Sequence, residues 1–237
     1  MGYDVSFHPI SPDEIQELYF TPLTWIQQGQ EEKVLAPAAQ HGIEDFYAEK
    51  YLDTLRVGAE TEPDELFDKS HGFYIAVVQG FFRDYYYTRG SSFSFLMEEK
   101  PEYARYFTPW AQVVPTALPN PAKNQIIENY CSGVYLSPNQ VLQILRDLEQ
   151  EPKVLEDLEK HWSDGQFAVL KKALTAAAEL GTGLLEATEV VEPNPLHPNE
   201  STCYSNLFHC DRDGVYLYID MAMKQIAQAM EQNKSDP

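Results

Sequence analysis

The feature that most constrains this chain is a device it uses twice. "YDVSFHPISPDEI" (Tyr3–Ile15) and "SGVYLSPNQVL" (Ser132–Leu142) each run a short aromatic and β-branched stretch straight into Ser-Pro and a helical pattern. In the first, Tyr3, Val5 and Phe7 alternate with their neighbours at the period of a half-buried strand. Ser11 is a good helix cap, Pro12 has the fixed φ that suits a first helical position, and Glu14 lies three residues on, where it closes a capping box. Ser137, Pro138 and Gln140 reproduce the arrangement. Nothing beyond the capping signals aligns, so the two stretches are one local solution used twice and not an internal repeat. Short strands handed directly to helices cannot pair with a sequence neighbour, so the sheet must be assembled from distant segments. The strand before Ser137 is expected to find its partner in the N-terminal strand.

The rest of the chain reads mainly as helix. "GIEDFYAEKYLDTLRVG" places Ile43, Phe46, Tyr47, Tyr51, Leu52 and Leu55 at helical spacing. "PDELFDKSHGFYIAVVQGFFRDYYYTRG" predicts a short helix leading into a long one that ends near Gly90, with Arg83 and Asp84 interrupting its apolar run. "SPNQVLQILRDLEQ" puts Val141, Leu142, Leu145 and Leu148 on one face, and "DGQFAVLKKALTAAAELGTG" stops at Gly181. "LLEATEVVEP" reads as one strand ended by Pro193, "EPNPLHPNES" as a surface loop, and "MAMKQIAQAMEQ" as a final helix. The pattern predicts an α+β fold, a predominantly helical single domain over residues 1–237 with a small sheet built from short, sequence-distant strands. The Pro-rich "PTALPNPAKN" (115–124) is the place where a subdivision would fall.

Charge narrows the function classes. The formal net charge is -20, yet residues 71–136 carry five acids and five bases, so the flanks hold the whole acidic excess. A phosphate backbone is repelled by such a surface, which argues against nucleic acid, whereas a basic protein partner or a bound cation suits it. No apolar run approaches the roughly 18 residues that a membrane helix needs. The opening "MGYDVSFHPI" has neither the basic start nor the apolar core of a secretory signal, and three cysteines, Cys131, Cys203 and Cys210, suit no disulfide framework. A cytoplasmic protein is expected, of a bacterial kind. No Gly-rich phosphate loop, G-x-S-x-G elbow or H-E-x-x-H helix is present in the sequence, and no cofactor is implied.

Four candidates remain where chemistry can sit. "HCDRDGVYLYID" (His209–Asp220) has the length and glycine position of a calcium loop, with His209, Asp211, Asp213 and Asp220 at ligand positions. Imidazole suits a hard cation poorly, so the competing expectation is a turn over Asp211–Gly214 followed by a strand through Val215, Tyr216 and Tyr218. Cys203, His209, Cys210 and Asp211 are a candidate zinc set whose spacing departs from paired-ligand motifs. His71 lies three residues after Asp68 and seven after Asp64, one face if a single helix carries all three. Arg83, Asp84, Tyr87 and Arg89 put charged and phenolic groups beside the core, either as an anion-recognising cleft or as internal ion pairs. His8 and His41 read as ordinary boundary residues. The leading functional expectation is a non-enzymatic acidic binding module, of inhibitor or immunity type, engaging a basic protein. The alternative is a small-molecule or metal-dependent enzyme built on Arg83, Asp84 and His71 or on Cys203, His209 and Asp211.

Overall fold

The computed structural model describes residues 3–61, 68–114 and 131–235. In chain order its elements are β1 (Asp4–Ile10), α1 (Pro12–Ile15), a π-helical turn (Gln16–Phe20), α2 (Thr21–Gln27), α3 (Leu35–Gln40), α4 (Asp45–Ala59), α5 (His71–Phe82) and β2 (Tyr85–Arg89). They continue with α6 (Phe93–Glu99), α7 (Trp110–Val113), β3 (Tyr135–Leu136), α8 (Pro138–Gln150), α9 (Pro152–His161) and α10 (Gln166–Leu180). The last are β4 (Gly183–Thr188), β5 (Val191–Glu192), β6 (Thr202–Cys203), β7 (Cys210–Asp211) and α11 (Arg212–Ser235). The fold is α+β and mostly helical, as the strand-to-helix device requires.

The main sheet has the order β3-β4-β1-β2-β7. β1 pairs antiparallel with β2 and β4, β4 pairs antiparallel with β3, and β2 runs parallel to β7. The strand before Ser137 therefore meets β1 only through β4, which lies between them. Segments on both sides of residues 115–124 share this sheet; the Pro-rich stretch itself lies outside the described residues. Both capping boxes form: the Glu14 carboxylate accepts from Ser11 N–H at 2.8 Å, and Gln140 Oε1 accepts from Ser137 N–H at 2.9 Å.

β1 is buried on both faces. On one, Val5 and Phe7 join Tyr86, Leu136 and Leu184 under a layer formed by α6, α8, α9 and α10, with Phe93, Ile144, Leu158, Trp162, Leu170 and Leu174 in the packing. On the other, Ile10, Leu185 and Ala187 meet α5, whose far side packs on Tyr19, Leu23, Tyr51 and Leu55. α5 is sandwiched, and this is why its sequence is apolar nearly all round. A satellite cluster of Tyr85, Tyr87, Val191 and Cys210 closes the edge beside α11.

Four expectations are corrected. The helix predicted to reach Gly90 ends at Phe82, because Arg83 is fully extended (φ −161°, ψ 173°) and the Tyr-Tyr-Tyr-Thr run pairs with β1 as a strand. On α8, Ile144 is buried while Leu142 is 54% exposed, a rotation of the expected apolar face. "LLEATEVVEP" is two strands, broken where Glu189 takes a positive φ of 61°. Asp211–Gly214 is not a turn before a strand: α11 starts at Arg212 and carries Val215, Tyr216 and Tyr218. A Cβ added at Gly214 would collide with the carbonyl oxygen of Tyr87, so this glycine serves close approach of α11 to β2.

Candidate functional site

The charged residues singled out in the sequence are separated and internally paired. Arg83 pairs with Glu14, so the residue that closes the first capping box also neutralises the arginine at the end of α5. Arg89, at the opposite end of β2, pairs with Asp4, its register partner on β1. Asp4 also accepts the Tyr87 hydroxyl at 2.6 Å, and the Arg89 guanidinium lies 4.6 Å from the Tyr218 ring centre. Asp84 is exposed and Tyr87 is buried. None of these four residues lines the cavities described below.

His71 begins α5, buried, with Nδ1 2.8 Å from the Tyr19 hydroxyl. Asp68 is exposed on the segment before the helix, so the two do not share a helical face, and Asp64 lies outside the described residues. Cys203 Sγ is 3.4 Å from the Tyr85 hydroxyl, and Cys210 is the register partner of Tyr85. His209 Nδ1 lies 2.9 Å from the Gly80 carbonyl oxygen. Asp211 and Asp213 both accept from Lys172, at 2.6 and 2.7 Å, and Asp220 lies further along α11. Among the described residues no group of three or more His, Cys, Asp or Glu side chains is placed to hold a metal ion.

Two titratable groups that the sequence reading passed over are the most perturbed carboxyl and imidazole. His8, read as a boundary residue, is fully buried at the centre of the sheet. Its ring stacks on Tyr85 at 4.9 Å, with Nδ1 2.7 Å from Gln79 Oε1 and Nε2 2.8 Å from Ser6 Oγ. Burial lowers its pKa to about 3, against a smaller opposing effect of the Gln79 hydrogen bond, so the ring is neutral. Glu186, on β4 opposite Phe7, is fully buried and accepts from Phe93 N–H at 2.7 Å. Burial pushes its carboxyl up to about 8, although the Phe93 and Ser94 amides at the start of α6 oppose the shift. Neither group lines any of the surface cavities described next.

Three cavities of similar size open on the surface. One of about 460 Å³ lies between α6 and α9, where Lys100 is engaged with Asp157. One of about 430 Å³ lies beside Trp25, between α1, α2 and α3. The third, about 420 Å³, is a groove between α4, α5 and β6, walled by Val57, Phe73, Val77 and Tyr204. Lys50 and Lys69 also line it. The Lys69 ammonium sits 3.8 Å from the Tyr204 ring centre and 5.0 Å from that of Phe73, and Lys50 lies 5.1 Å from the ring of Phe46. Along its outer side α4 presents Asp45, Glu49 and Asp53 at successive four-residue spacing, next to Phe46, which is 59% exposed, and Val57, 53% exposed.

Comparison of the chain with models of known protein families, with curated proteins and with solved structures returns no match. Function has to be argued from the geometry. No local motif announced the groove, because its walls come from three distant segments. The only sequence signal for the α4 face is the four-residue spacing of its acids, with Phe46 beside them.

Proposed function

We propose that this chain is a non-enzymatic, cytoplasmic binding module of inhibitor or immunity type, which engages a basic protein through the outer face of α4. The observation that carries the reading is the composition of that face: the Asp45, Glu49 and Asp53 row beside solvent-exposed Phe46 and Val57. A polar, charged rim around aromatic and aliphatic anchors is the anatomy of a protein interface, in which the apolar centre supplies affinity and the rim supplies steering. Arg56, Arg83, Arg89, Lys100, Arg105, Lys153 and Lys172 are all held in ion pairs within the chain, so much of its sparse positive charge is neutralised locally. His8 and Glu186, the groups whose pKa values an enzyme would exploit, lie inside the packing and not in a cleft. The count of three cysteines agrees with a reducing compartment.

The test is calorimetric titration of the full chain with a synthetic amphipathic helix of leucine and lysine. Affinity should fall steeply between about 0.1 M and 1 M salt, as the Debye length shrinks from roughly 10 to 3 Å. Two exposed charge pairs at roughly 0.5 kcal/mol each, Asp53 being bound to Arg56, predict about a fivefold loss for the combined Asp45→Asn, Glu49→Gln variant. Phe46→Ala should weaken binding further, whereas Glu156→Gln with Glu159→Gln on α9 should leave it nearly unchanged. Equal losses from the α4 and α9 variants, or binding indifferent to salt, would refute the reading.

A further inference from the structure

We infer that the groove between α4, α5 and β6 is a binding site for a small anionic amphiphile, a carboxylate carried on an aliphatic or aromatic body. This goes beyond the partner reading and does not depend on it. The size fits: about 420 Å³ falls within the roughly 300–1,000 Å³ of small-molecule sites, which are lined mainly by apolar side chains with a few polar groups fixing orientation. Val57, Phe73, Val77 and Tyr204 supply the apolar wall. Exposed Val57 and Tyr204 leave part of that wall open to solvent, where an apolar ligand body gains most by covering it.

Charge selects the sign of the head group. In a chain of net charge -20 this groove gathers two lysines, and neither Lys50 nor Lys69 is in an ion pair among the described residues. Asp53, the one carboxylate among the described lining residues, is bound to Arg56 at 2.8 Å. Among the described residues Lys69 is held by ring faces: its ammonium rests on Tyr204 and Phe73, themselves packed edge to face at 5.5 Å. A cation–π contact leaves the ammonium its charge and its hydrogen-bond donors. A carboxylate at the mouth meets two lysines beside apolar surface, where partial desolvation strengthens the attraction. A cationic amphiphile of the same length meets the same wall and the opposite electrostatics.

The experiment uses the full chain and decanoate below its micelle-forming concentration, followed by amide and methyl NMR shifts, with decyltrimethylammonium in parallel. Decanoate should saturate one site, shifting the Val57 and Val77 methyls and the Lys69 and Tyr204 amides. Decyltrimethylammonium should bind at least tenfold more weakly. Lys50→Gln with Lys69→Gln should cut decanoate affinity at least tenfold, and Val57→Glu, at an exposed position, should do the same while the melting temperature holds. Equal affinity for the two amphiphiles, an unchanged affinity in the lysine variant, shifts clustered away from this groove, or no saturable binding would each overturn the inference.

Discussion

Glu186→Gln is the substitution with the most definite consequence. In the native chain burial holds the carboxyl up to about 8, whereas the ordinary value is 4.5. Between those pH values the native state keeps a proton that the unfolded chain has released, so stability is complete below about pH 4.5 and declines as pH rises toward 8. Each pH unit across the interval removes about 1.4 kcal/mol, roughly 5 kcal/mol in all, a large share of the 5–15 kcal/mol typical of a domain. His8 acts with the opposite sign. Its native value of about 3 lies below the ordinary 6.5, so its contribution is complete above pH 6.5 and is lost as pH falls toward 3. The two slopes overlap and cancel between 4.5 and 6.5, leaving Glu186 to weaken the fold between 6.5 and 8. Glutamine retains an oxygen to accept the Phe93 N–H and has no proton to lose. Its amide group falls where Glu186 Oε1 has no hydrogen-bond partner, a cost of about 1–3 kcal/mol that does not change with pH. Urea unfolding of both proteins at about pH 5 and about pH 8 separates these effects. The variant should be the less stable at the lower pH and the more stable at the higher one. Parallel stability curves for the two proteins would refute a buried, protonated Glu186.

Other substitutions test the packing. Gly214→Ala forces the first turn of α11 away from the Tyr87 carbonyl and should cost about 1–3 kcal/mol, visible as a lowered melting temperature. Ile144→Ala should destabilise by about 2–5 kcal/mol and Leu142→Ala by less than about 0.5 kcal/mol, and urea midpoints that reverse this order would contradict the face assigned to α8. Burial pushes the Cys131 thiol up to about 11 and the Cys210 thiol to about 12, and raises Cys203 as well, so a colorimetric thiol titration at neutral pH should proceed slowly until denaturant is added.

What was legible in the sequence was local. The Ser11 and Ser137 caps, the stop at Gly181 and the strand period of β1 depend on residues within a turn of one another, and each forms where the pattern puts it. β2 was hidden because the apolar run of α5 continues into three tyrosines, which serve a buried helix or a central strand equally well; pairing with β1 decides. The start of α11 was hidden because Asp-Arg-Asp-Gly is good turn chemistry, and only the approach of Tyr87 explains the glycine. Glu186 drew no notice inside "LLEATEVVEP", because its burial follows only from the helices that cover both faces of the sheet. Arg83 and Arg89 were visible as unusual, but the acids that neutralise them, Glu14 and Asp4, lie far away in sequence. The groove is the extreme case, since Lys50, Lys69 and Tyr204 meet only after α4, α5 and the β5–β6 pair have packed.

The most direct test of the binding-module reading is hydrogen exchange of the full chain, alone and saturated with the leucine–lysine helix. Slowed exchange concentrated in α4, between Asp45 and Val57, is the result predicted. Protection centred on α9 or α11, or spread evenly over every acidic surface, would contradict the assignment of α4 as the docking face.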